Sequence, residues 1–125
     1  MMIGMNEDTT AGGGERILDL GEQLRSLGGS ASPTGHHART LVRHADLKVV
    51  LVTMSGGVEL RDHHAPGSAT VQVLSGRVRF LLPDREVELR TGELLVLPPA
   101  VSHAVQARED AAFLLSLAGA GAGGE

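Results

Sequence analysis

From Arg39 onward the chain is a succession of short Val- and Leu-rich runs, each closed by Gly, Pro or Asp, with no interval long enough for a substantial helix. Such runs are strands, because β-branched and aliphatic side chains suit a pleated, half-buried surface while Gly and Pro supply the turns. The expected strands are residues 39–43, 48–54, 58–60, 70–74, 77–82, 86–90, 94–97, 103–107 and 112–117. In Arg77-Val78-Arg79-Phe80, and again in Glu86-Val87-Glu88-Leu89-Arg90, charge and apolar bulk alternate, which gives each strand one wet and one dry face. Many short strands without a long helix predict an antiparallel barrel or jelly roll. Ser75-Gly76 and Thr91-Gly92 are its expected hairpin turns.

Ahead of the strands, Ile17, Leu18, Leu20, Leu24 and Leu27 recur at roughly helical spacing, and Gly28-Gly29 would stop a helix. The spacing predicts a short helix within residues 15–27, followed by a loop over 28–37 where Gly, Ser and Pro dominate. Residues 1–14 and 118–125 are rich in Gly, Ala and acids and offer little to offset the entropy of ordering. They are expected to be disordered tails around one domain, residues 15–117, with its strand core at 39–117. A chain of 125 residues suffices for one core and not for two.

Hydrophobic residues make up 42% of the chain but aromatic ones only 2%, Phe80 and Phe113, so the core must be aliphatic. A net charge of −4 disfavours a surface that neutralises phosphates, and nucleic acid is not an expected partner. Without cysteine, any metal must be held by nitrogen and oxygen. No apolar run approaches the roughly 18 residues of a membrane span, and the first residues lack a basic segment followed by an apolar one. A cytoplasmic protein without membrane contact is expected.

Two histidines sit in matched frames. The first reads Gly57, His63, Ala65, Ala69, Gly76; the second reads Gly92, Pro98, Ala100, His103, Ala107. In spacing and order these resemble the two motifs of the cupins, G-x5-H-x-H-x3,4-E-x6-G and G-x5-P-x-G-x2-H-x3-N. The resemblance covers residues 39–118 and implies an all-β fold, the antiparallel double-stranded β-helix or cupin jelly-roll barrel, with a short N-terminal helix. It also implies a homodimer, since cupins commonly pair through sheet edges.

Metal-binding cupins use two histidines and a glutamate of the first motif and the histidine of the second. Of these only His63 and His103 remain, because Ala65 and Ala69 stand in the other two slots. The resemblance therefore implies either a divalent metal (Zn, Fe, Mn or Ni) on His63, His103 and a further group, with His64 the reserve ligand, or no metal. Gln72 is a further candidate for the pocket, and Glu59 a more distant one. His103 shares the parity of Val101, Val105 and Ala107 and should face inward. Simple alternation from Val58 and Leu60 instead puts Asp62 and His64 inward, although Pro66 can bend this segment. His36-His37 fall in the expected loop, and His44 beside Asp46 reads as an exposed turn residue.

Two functions follow. The first is a small-molecule binder whose barrel mouth is lined by His63, His103 and Gln72. The second is a metal-dependent enzyme of the cupin dioxygenase, isomerase or decarboxylase type with an incomplete ligand set. The hydroxyls Ser68, Thr70, Ser75 and Ser102 lack a nucleophile elbow and an orienting acid, so a serine hydrolase is not expected.

Overall fold

The computed structural model describes residues 14–28, 33–63 and 65–119, with side chains at all of these except 62 and 63. One helix, α1 (Leu20–Gly28), precedes nine strands: β1 (His36–Arg43), β2 (Leu47–Met54), β3 (Glu59–His63), β4 (Ala69–Ser75), β5 (Arg77–Leu81), β6 (Glu86–Arg90), β7 (Leu94–Leu97), β8 (His103–Ala107) and β9 (Ala111–Ala118). They form a five-stranded sheet in the order β1-β2-β9-β4-β7 and a four-stranded sheet in the order β3-β8-β5-β6. Every pairing is antiparallel. This is the two-sheet jelly roll expected from the strand pattern.

The sheets close on an aliphatic core that includes Val52, Val71, Val73, Val78, Leu89, Val105 and Phe113. Phe80 meets Phe113 edge-on with ring centroids 6.0 Å apart. Outside the five-stranded sheet, Leu27, Leu41 and Leu51 make a second cluster joined by Leu18, Leu20, Leu24, Leu74 and Leu114. The leucines of α1 bury this stripe against the sheet, which accounts for the helix where propensity alone would not hold nine residues.

Four expectations change. The helix begins at Leu20 because Asp19 caps it, its Oδ1 accepting from the Glu22 N–H at 3.1 Å; residues 15–19 run ahead of it without helix. His36 and His37 are strand rather than loop, since β1 extends to pair them with Met54 and Thr53. Ser75-Gly76 and Thr91-Gly92 are not hairpin turns: each joins a strand of one sheet to a strand of the other, so they turn corners between layers. Finally, β9 runs through Ala118, which pairs with Leu47. The remainder of the expected tails, residues 1–13 and 120–125, lies outside the described residues.

Candidate functional site

The site is built on the pairing of β3 with β8. Glu59 lies opposite Gln106 and Leu60 opposite Val105; a register shift then intervenes, and His63 lies opposite His103. Residues 61 and 62 together span one residue of β8, as in a β-bulge. The bulge removes the parity conflict seen in the sequence, because alternation counted from Leu60 no longer applies beyond it. At the backbone, His63 takes the position across from His103. His64 lies outside the described residues.

His103 is 8% exposed, the buried polar residue in an otherwise apolar set. Its ring packs against Phe80, with centroids 5.8 Å apart and planes tilted by 38°. Its Nδ1 lies 3.2 Å from the Val101 carbonyl. A carbonyl only accepts, so this bond needs the proton on Nδ1, and in the neutral ring Nε2 then carries the lone pair. The backbone carbonyl of Val101 thus orients the imidazole. Beside it, the Ala100 N–H donates to the Ala65 carbonyl at 2.8 Å, which ties the two motif loops together.

The other candidates are not brought to this place. Gln72 is exposed between buried Val71 and Val73, so strand alternation sets it on the outward face of the five-stranded sheet. Glu59 is also outward, accepting from Gln106 Nε2 at 3.0 Å. Ala69 is buried in the core and Ala65 half-buried, and neither has a donor atom. Among the described residues no three His, Asp or Glu side chains are grouped to hold a metal. The family's four-ligand centre does not fit this chain, since two of its four positions are alanine.

His44 is exposed in the β1–β2 turn, where its N–H donates to the Leu47 carbonyl at 2.8 Å. His37 lines a separate cleft of about 370 Å³, shared with Thr53, Ser55, Ser75, Asp110 and the end of α1. That cleft opens at the other end of β8 from His103 and on the outer side of the five-stranded sheet. Sequence reasoning missed it, because it depends on which strands become neighbours. Phe80 was missed as the ring under His103 for the same reason. The arginines and glutamates read as a solvent face are one: Arg77 pairs with Glu88 at 3.0 Å and Glu109 at 3.7 Å, and Arg79 with Glu86 at 3.3 Å. No helix among the described residues is long and apolar enough to cross a membrane.

Solved structures share this architecture. A conserved protein of unknown function from Streptococcus pyogenes is 26% identical, with 85% of this chain and 89% of that one covered and a TM-score of 0.69. A cupin superfamily protein from Desulfitobacterium hafniense is 17% identical, with 85% and 93% covered and a TM-score of 0.71. Salicylate 1,2-dioxygenase from Pseudoaminobacter salicylatoxidans is 21% identical, with 78% of this chain but 30% of the enzyme covered and a TM-score of 0.64. Among curated proteins none matches in sequence. Residues 50–117, more than half of the chain, match the model of the cupin domain, and the chain belongs to the cupin family.

Proposed function

We propose that this protein binds a small molecule inside the barrel, at the end where the backbone register sets His63 across from His103. The observation that carries this reading is the buried imidazole of His103. It is held by Val101 and Phe80 among aliphatic side chains, while the motif's carboxylate position is Ala69. Apolar walls with one or two oriented polar groups suit a largely apolar ligand bearing a hydroxyl, carbonyl or carboxylate. In this reading the protein is a homodimer, the state the family resemblance implies. The dioxygenase among the structural relatives supports the fold alone, at 21% identity.

The test is a thermal-shift screen of wild type and His103→Ala against small carboxylic acids, phenols and sugars, with elemental analysis of the same samples. At a concentration 100 times its dissociation constant, a true ligand adds about 2.7 kcal/mol and raises the melting temperature by roughly 10 °C. That shift is expected in wild type and absent in His103→Ala. A screen with no stabiliser sinks the reading. Near-stoichiometric Zn, Fe, Mn or Ni, lost in both His63→Ala and His103→Ala, would replace it with the metal-dependent one.

A further inference from the structure

On the outer side of the five-stranded sheet, α1 covers one row of side chains and stops short of the next. The strand register sets Arg39, Leu51, Leu114 and Gln72 in the first row and His37, Thr53, Ala112 and Ser75 in the second. Over the first row, Leu24 and Leu27 of α1 pack in one cluster with Leu51 and Leu114. The Arg39 guanidinium there donates to Gln23 Oε1 at 2.9 Å and to Ser26 Oγ at 3.3 Å. The second row lies where the helix ends, at Gly28. It has Ala112 where its neighbour has Leu114, and the space left is the cleft of about 370 Å³.

The chain shapes this space at two further points. Val73 belongs to the inner core and Leu74 to the outer cluster, so alternation alone would turn Ser75 inward. A register shift between Val73 and Ser75 sets Ser75 opposite Ala112 instead, and it lines the cleft. Bulges re-aim side chains in this way beside functional sites. At the rim, Asp110 is held by the Gly56 N–H, which donates to its Oδ1 at 2.8 Å. The two turns come this close because residue 56 is glycine: a Cβ there would stand 3.1 Å from the Glu109 Cα. The hydroxyls of Thr53, Ser55 and Ser75 also line the cleft, and no described residue hydrogen-bonds to them.

Charge decides what such a space accepts. Asp110 brings a carboxylate, and the last turn of α1 brings backbone carbonyls, the negative end of the helix dipole. The nearby arginines are turned to other partners, Arg39 to Gln23 and Ser26 and Arg25 to Glu22 at 3.3 Å. Leu24 and Ala112 supply apolar surface between the polar groups. We propose that this cleft binds a small amino alcohol, its ammonium on the Asp110 carboxylate, its hydroxyl on Thr53 or Ser75 and its carbon frame against Leu24 and Ala112. An ammonium only donates, which suits carboxylate and carbonyl oxygens, and such charge-assisted bonds are about twice as strong as neutral ones. The volume falls at the lower end of the range of about 300–1,000 Å³ usual for ligand pockets, which favours a small occupant. The cleft is on the outer side of the sheet and away from His103, so this site and the one inside the barrel can stand or fail separately.

The experiment is a titration of the isotope-labelled full chain, followed by amide NMR at about pH 7, where aliphatic amines are protonated. The probes are serinol and phenylalaninol, each beside an uncharged counterpart, glycerol and phenylpropanol. The expected result is saturable shifts with both amines at the amides of Thr53, Ser55, Gly56, Ser75 and residues 110–112 and none at His103, with the counterparts binding about tenfold more weakly. Asp110→Asn keeps an acceptor for Gly56 and removes the charge, and it should weaken both amines about tenfold while leaving the counterparts unchanged. Thr53→Val, of similar shape without the hydroxyl, should weaken them about threefold. Should the spectrum of Asp110→Asn show that it has not folded, Thr53→Val decides. Amines that shift nothing, that shift only the surroundings of His103, that bind no better than their counterparts, or that bind the folded variants as tightly as wild type overturn the proposal.

Discussion

The glycine positions of the two motifs share a positive φ. Gly57, Gly76 and Gly92 have φ of 90°, 76° and 90°, and Ala100, in the remaining glycine position, has φ of 64°. An L-residue held there costs about 1–2 kcal/mol, and glycine gives back about 0.4–1 kcal/mol through the freedom of the unfolded chain. Ala100→Gly should therefore stabilise the protein by about 0.5–1 kcal/mol, read as a higher urea midpoint at constant slope. Unchanged or lower stability would mean that the strain is relieved elsewhere in the loop tied to Ala65. Gly76 has a second constraint, since a Cβ there would collide with the Asp110 carbonyl, whereas Gly92 has nothing within 4 Å. Gly92→Ala should cost about 0.5–1 kcal/mol in the same measurement, the reverse of the Ala100 change, and Gly76→Ala about 2–3 kcal/mol, because only the latter adds a backbone displacement to the φ cost.

Strands were legible wherever their limits are local. β6, β7 and β8 begin and end where the alternation and the flanking Gly, Pro and Asp place them. Limits that depend on a partner were not legible. β1 extends to His36 because Met54 lies across from it, and the bulge at residues 61–62 exists because β8 offers one residue where β3 has two. The site followed the same rule: the inward parity of His103 was readable from Val101, Val105 and Ala107, but the position of His63 needed the bulge. The helix start was missed for a smaller reason. Ile17 and Leu18 continue the apolar spacing past Asp19, yet Asp19 caps the helix through the Glu22 N–H. Asp19→Ala should thus cost about 1 kcal/mol, with a matching loss of helical signal in circular dichroism during urea unfolding. No loss would show that Leu18 and Leu24, packed against the sheet, hold the helix without its cap.

At the scale of the molecule, the five-stranded sheet separates two apolar clusters. On its inner face Val71, with no exposed surface, packs in the main core. On its outer face Leu27 of α1, 7% exposed, packs over Leu51. Neighbouring residues of one strand serve opposite clusters, Leu51 outward and Val52 inward, so the sheet itself is the partition. Truncating a buried aliphatic residue costs about 2–3 kcal/mol through lost transfer energy and the cavity left behind. Substitutions without shared partners add to within about 0.5 kcal/mol, while those in one cluster couple more strongly. Val71→Ala and Leu27→Ala should therefore be additive in urea unfolding, whereas Val71→Ala with Phe113→Leu, both in the inner core, should depart from the sum. Additivity in both pairs would mean that the inner core relaxes too little for its cavities to interact. Coupling between Val71 and Leu27 would mean that the sheet transmits strain, and that α1 on its outer face reports on the barrel interior where His103 lies.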